Sequence, residues 1–255
     1  MRSGWEPRRG SPGGAHSLIE VAIDTGSPAG LPLIGRREER ERIETALRSG
    51  ESLLVLGCAG AGKSCLLRAC ADEVPGTVFL PWQPSFHLLL SSLADALVPN
   101  TPPQTSVRLK GILWTALERQ PARVILDGIA GASHPFYRFF QRLYFVPGMS
   151  IIASARDAFS LGALGRLFWD SRKTIQLGPL SDAEARELFD TAAKHYGLSA
   201  TEPGDFCESV LECAKGNGGQ IVEMCRLGSR PEYMTASGHI KFELVRIDSL
   251  VRTLG

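Results

Sequence analysis

The residues from Gly57 to Ser64, Gly57-Cys58-Ala59-Gly60-Ala61-Gly62-Lys63-Ser64, combine a glycine-rich loop with a lysine and a hydroxyl. Glycines permit a backbone path in which successive N–H groups turn toward one anion, and the lysine adds a mobile cation. This G-x-x-x-x-G-K-S pattern is that of a phosphate cradle, with Lys63 placed to reach the β and γ phosphates of a nucleotide and Ser64 to ligate Mg²⁺. The pattern also recurs by chance, so its surroundings decide. Leu53-Leu54-Val55-Leu56 precedes it as a short apolar run of the kind a doubly covered strand requires, and a helical pattern running through Cys65 follows. A strand, a glycine loop and a helix N-terminus are the three parts that converge on phosphate oxygens.

A Mg²⁺–phosphate site also needs a carboxylate at the end of a neighbouring strand, and Val124-Ile125-Leu126-Asp127 supplies one. The alternative for Asp127 is an ordinary Asp-Gly turn with Gly128. Many such sites place a second acidic residue directly after the first, to orient the attacking water, but here the position holds Gly128. No Asp or Glu follows until Asp157, so hydrolysis is expected to be slow. His134 is the nearest basic candidate in sequence, set against the plainer reading of a surface loop histidine.

The elements around these residues alternate. Apolar runs at Thr77–Leu80, Val124–Leu126, Ser150–Ala153 and Thr174–Leu177 are separated by helical patterns such as Leu88–Leu97 and Val107–Leu117. This predicts an α/β fold with a parallel sheet flanked by helices. Arg37–Ser49 is a charged surface helix closed by Gly50. After Leu177 the pattern becomes helical. Ser181-Asp182-Ala183-Glu184 is a capping box, a second helix follows from about Asp205, and a third runs from Gln220 to Leu227. The expected organisation is a flexible tail over residues 1–30, a nucleotide-binding domain over 31–178, a helical lid over 179–230 and a C-terminal docking segment over 231–255. Within the tail, Leu18–Ile23 could form a short strand. The helix Pro135–Phe145 carries more aromatic rings than one core face easily hides, so most are expected in the core and some against a partner.

Composition restricts the function classes. Of the 255 residues, 28 are basic and 27 acidic, a formal net charge of +1, so no global field gathers nucleic acid. No run approaches the roughly 18 apolar residues of a membrane helix. The six cysteines, Cys58, Cys65, Cys70, Cys207, Cys213 and Cys225, show no zinc spacing, which predicts reduced thiols and a cytoplasmic protein. Cys58 lies inside the phosphate loop, where a small space-filling role competes with a redox brake.

Taken together, these residues resemble the STAND group of AAA+-related ATPases, especially the NB-ARC and archaeal-type signalling ATPases, over roughly Leu31 to Leu227. Ile34-Gly35-Arg36-Arg37-Glu38-Glu39 looks like the group's lead-in segment, which implies that Gly35 and Arg36 lie beside the adenine. Ser150 to Asp157 looks like its sensor strand, which implies that a polar residue of this strand and Arg156 read the γ-phosphate; a surface arginine paired with Asp157 or another carboxylate is the alternative. Ile175 to Ser181, continuing to Glu187-Leu188-Phe189, is similar to the block joining sheet to lid and brings Pro179 to the nucleotide. Gly216-Asn217-Gly218-Gly219 stands where the group has a Gly-x-Pro turn over the base, with glycine replacing proline. For Arg166 and Arg172, a finger role at a neighbouring subunit's nucleotide stands against solvated surface.

The resemblance implies ATP/ADP and Mg²⁺ as cofactors, with Gly57 through Cys65 around the phosphates and Lys63, Asp127 and Arg156 acting on them. It also implies a switch or assembly ATPase that couples nucleotide state to a protein partner or to self-assembly. Three rivals remain: a non-hydrolysing nucleotide-binding scaffold, a DNA-associated helper ATPase of the transposition or origin-recognition kind, which the near-neutral charge disfavours, and a P-loop kinase.

Overall fold

The structure is a computed structural model and describes residues 30–198 and 203–254. The Leu18–Ile23 strand and nearly all of the expected tail lie outside those residues.

Five strands, β1 (Leu53–Leu56), β2 (Thr77–Pro81), β3 (Arg123–Ile129), β4 (Ser150–Ala155) and β5 (Thr174–Gln176), form one parallel sheet in the order β2-β3-β4-β1-β5. Helices cover both faces, which is why the strands are continuous apolar runs and not alternating ones. On one face, α1 (Arg37–Ser49) and α2 (Lys63–Glu73) bury Ile43, Leu47, Leu66 and Leu67 against Val55, Ile125 and Ile152. On the other, α3 (Phe86–Leu97), α4 (Ser106–Arg119) and α5 (His134–Tyr144) enclose Leu90, Leu113, Phe139 and Phe140 with Leu54, Leu126 and Ala153. The chain is an α/β protein with a helix-flanked parallel sheet, as its alternating pattern predicts.

Beyond β5, the helices α6 (Asp182–His195), α7 (Pro203–Ala214), α8 (Gly218–Gly228) and α9 (Phe242–Leu254) share a separate core of Leu188, Phe189, Val210, Ile221, Met224 and Val245. The capping box is present in both directions. Ser181 Oγ accepts from the Glu184 N–H at 3.4 Å, and the Ser181 N–H donates to Glu184 Oε2 at 2.8 Å. Leu31 and Ile34 pack on this helical core while Leu33 packs under the sheet, so the lead-in segment bridges the two.

Several boundaries differ from the sequence expectation for local reasons. β3 continues beyond Leu126 through Asp127 and Gly128, with a register shift against β4 between Leu126 and Ile129, because Gly128 takes up the irregularity at φ 77°. Helix α8 begins at Gly218, ahead of the expected Gln220, since Asn217 caps it by accepting from the Gln220 N–H at 3.1 Å. In α5 the amphipathic spacing is strict: Phe136, Phe139, Phe140 and Leu143 are buried, Tyr137 and Tyr144 half-buried, and Phe145 exposed just past the helix end. Helix α9 buries Val245 against the lid helices and leaves Leu244, Ile247, Leu250 and Val251 exposed.

Candidate functional site

The phosphate loop leaves β1 at the C-terminal edge of the sheet and enters α2 at Lys63. Gly57 packs where a Cβ would meet Ala61 and Leu177 at 3.2 Å, and Gly62 caps the helix in a left-handed conformation. Lys63 Nζ donates to the Gly57 carbonyl at 2.6 Å and to the Cys58 carbonyl at 3.0 Å, so the ammonium lies within the curl of the loop. Burial pushes the Lys63 pKa down. The Asp127 carboxylate and Cys58 pull it up, and Arg156 pushes it down again. Asp127 and Arg156, both distant from Lys63 in sequence, therefore lie within electrostatic reach of its ammonium.

Sequence reasoning sets Asp127 on a strand neighbouring the loop strand. The sheet order corrects this: β4 lies between β3 and β1. The intervening strand contributes Ser154, a fully buried residue of the segment likened to a sensor strand, where the resemblance implies a polar residue at the γ-phosphate without singling out Ser154. Its hydroxyl donates to Asp127 Oδ1 at 2.7 Å and accepts from the Gly128 N–H at 2.8 Å. Asp127 is 7% exposed and forms no ion pair among the described residues. A buried carboxylate with one oxygen oriented by a hydroxyl and no ion pair among the described residues suits a hydrated divalent cation. The Ser64 hydroxyl, on the first turn of α2, makes no hydrogen bond among the described residues. The donor set of hydroxyl, carboxylate and phosphate oxygens that Ser64 and Asp127 could complete is the hard-oxygen set Mg²⁺ prefers.

The remaining predicted residues take varied places. Arg156 is exposed and makes no hydrogen bond or ion pair among the described residues, because Asp157 instead accepts from the Ser160 N–H at 2.8 Å and Oγ at 2.9 Å. Those bonds hold the Asp157 carboxyl below the usual carboxylate range. The guanidinium of Arg36, whose side chain is 9% exposed, donates to the Gly178 and Ala61 carbonyls and pairs with Glu39 at 3.3 Å. It ties the end of the sheet to the phosphate loop. Gly35 lies against the Glu184 carboxyl, and exposed Pro179 against Gly216. Cys65 is half-buried on α2. Cys58 is exposed, with Sγ 3.9 Å from Asn217 Nδ2, so its side chain fills no core. Arg172 is held by Asp170 at 3.0 Å, Arg166 lies over the Tyr137 ring, and His134 is exposed against the same ring.

Position 128 is a backbone feature. Gly128 adopts φ 77°, and nothing lies within 4 Å of where a Cβ would be, so glycine answers to the chain conformation and not to crowding. Next to the phosphate loop, the lid turn makes direct contact. The Gly219 N–H donates to the Gly60 carbonyl at 2.8 Å, and Asn217 Nδ2 donates to the Ala59 carbonyl at 2.9 Å.

A sheet of this order, with the glycine loop after β1, the carboxylate on β3 and helices following β5, defines the AAA+ P-loop ATPase fold. Solved structures of that class are similar to it. Cdc6p from Pyrobaculum aerophilum superposes with a TM-score of 0.65 at 14% identity, over 86% of this chain and 68% of that one. ORC from Drosophila, solved bound to DNA, gives 0.60 at 14% identity, over 100% and 71%. A STAND signal-transduction ATPase with a tetratricopeptide repeat sensor from Pyrococcus horikoshii gives 0.53 at 14% identity, over 91% of this chain and 34% of that one. No family model and no curated protein matches the sequence. Among the described residues, no helix is long and apolar enough to cross a membrane.

Proposed function

We propose that this chain is an ATP-binding, slowly hydrolysing switch or assembly ATPase that couples nucleotide state to partner binding or self-assembly. The observation that carries the reading is the convergence of Lys63, Asp127 and Arg156 at the phosphate loop, in contact with the turn that opens α8. In this reading the loop amides from Gly57 to Ser64 and the α2 N-terminus bind the phosphates, and Lys63 leaves the Gly57 and Cys58 carbonyls to reach the β and γ oxygens. Ser64 and Asp127 hold Mg²⁺, with Ser154 orienting the Asp127 carboxylate. When bound, Mg²⁺ neutralises charge across the phosphate chain. Arg156, in no ion pair among the described residues, is placed to favour ATP over ADP through the γ-phosphate.

Slow turnover follows from Gly128, because the position after Asp127 offers no base to align water. That same residue supports a second reading, a scaffold that binds ATP without hydrolysing it. The near-neutral charge still weighs against a DNA-associated role such as the DNA-bound state of Drosophila ORC brings to mind.

ATP and ADP affinity with Mg²⁺, measured beside steady-state turnover for the native chain, Lys63→Ala and Asp127→Ala, tests the proposal. Binding and weak turnover in the native chain, with both lost in Lys63→Ala and turnover lost in Asp127→Ala, is the expected outcome. Tight binding without turnover selects the scaffold. Turnover that rises with duplex DNA selects the helper ATPase, and absence of nucleotide binding refutes the reading.

A further inference from the structure

The turn from Gly216 to Gly219 sits between two fixed surfaces. On one side, the Leu180 N–H donates to the Gly216 carbonyl at 2.9 Å, and a Cβ on Gly216 would fall 2.5 Å from the Leu180 oxygen. On the other side is the phosphate loop, approached so closely that a Cβ on Gly219 would stand 2.6 Å from Gly60 Cα, and one on Gly60 2.3 Å from Asn217 Oδ1. No side chain separates the two backbones there, which makes Gly60 and Gly219 obligatory for the contact.

Asn217 uses both ends of its amide at this junction. Its oxygen accepts from the Gln220 N–H at 3.1 Å and so caps α8, while its NH₂ donates across to the Ala59 carbonyl at 2.9 Å. The capping half is a duty that Ser or Asp performs equally well. The donating half is special to an amide of this length, since serine is too short to reach Ala59 and aspartate has no donor. The Ala59–Gly60 peptides thus have two uses. Their carbonyls are tied to the lid helix, and they belong to the loop whose amides face phosphate.

We infer that Asn217 is the positioning residue that latches the lid to the phosphate loop, so that a change of nucleotide at the loop is carried directly into α8. The inference rests on the nucleotide-binding reading for the source of the signal, and on geometry alone for the latch. Any loop movement that turns the Ala59 or Gly60 carbonyl strains or releases two hydrogen bonds into the lid, and linkage requires that lid movement alter nucleotide affinity by the same factor.

The experiment is amide hydrogen exchange of the full chain, resolved at Gly219 and Gln220, for native protein, Asn217→Ser and Asn217→Asp, without nucleotide and with Mg-ATP or Mg-ADP. The Gln220 amide reports the cap and the Gly219 amide reports the latch. Expected in both variants is Gly219 exchange faster by on the order of fivefold, the weight of one lost hydrogen bond, with Gln220 within twofold of native. In the native chain, Gly219 exchange differs between ATP and ADP, and the variants lose that difference while Asn217→Ser still binds nucleotide. Unchanged Gly219 exchange in the nucleotide-free variants overturns the latch. A native chain that binds ATP and ADP with identical Gly219 exchange overturns the transmission. If the native chain binds no nucleotide, the proposed function fails instead, and the nucleotide-free comparison alone decides the latch.

Discussion

Replacing Ser154 with alanine removes one hydroxyl that serves two partners, and its cost can be worked from the structure. The side chain is fully buried on β4, 2.7 Å from Asp127 Oδ1 and 2.8 Å from the Gly128 nitrogen. A hydrogen bond to an ionised carboxylate contributes about 1.5–3 kcal/mol, and leaving a buried N–H unpaired costs about 1–3 kcal/mol. Asp127 keeps 7% of its surface in water and Gly128 is exposed, so solvent recovers part of both terms. The expected loss is therefore about 2–3 kcal/mol, below the simple sum. In urea at pH 7 this lowers the unfolding midpoint by ~1 M with an unchanged slope. The same variant frees the Asp127 carboxylate to rotate. The Mg²⁺ concentration required for half-maximal ATP binding should then rise by about tenfold, the usual size of an effect from an orienting partner. A midpoint within ~0.2 M of native together with an unaltered Mg²⁺ requirement would refute the argument that Ser154 orients the carboxylate.

Three further outcomes follow from the same geometry. Gly128→Ala meets open space but must hold a Cβ at φ 77°, so it should cost about 1 kcal/mol in urea unfolding, and a larger loss would mean that the space is not open. Arg156→Ala loses no hydrogen bond among the described residues, so its melting temperature should stay within ~2 °C of native, while ATP affinity falls by about tenfold and ADP affinity by less than about twofold. Equal losses for ATP and ADP in a binding titration would exclude γ-phosphate sensing. The Glu184 carboxyl, held below its usual range by hydrogen bonds from Ser181, gives stability that is complete above the ordinary glutamate value of about 4.3. That stability disappears as pH falls through the lower folded value, because the unfolded chain takes up the proton more readily. Glu184→Gln should flatten this acid-side slope in a pH series of thermal melts, and an unchanged slope would assign it to other carboxylates.

Much of the site can be read directly from the chain because local chemistry determines it. A glycine loop between an apolar run and a helix start has few other uses, Ser181 and Glu184 specify their own cap three residues apart, and doubly covered strands must be apolar throughout. What the sequence could not reveal is the product of strand order and close approach. Nothing in Val124–Asp127 says that β4 intervenes between the carboxylate and the loop, so Ser154 is not singled out as the polar residue of its strand until the sheet sets its hydroxyl against Asp127. Nor does Gly216-Asn217-Gly218-Gly219 declare more than a turn. Only when the turn opening α8 packs on the loop after β1 do Gly60 and Gly219 meet backbone to backbone and does the Asn217 amide reach Ala59. Residue type and spacing were enough for the glycine loop between β1 and α2, whose atoms lie within one short segment. Contacts spanning more than 150 residues depend on how separate hydrophobic cores pack, and that is decided only by the tertiary structure.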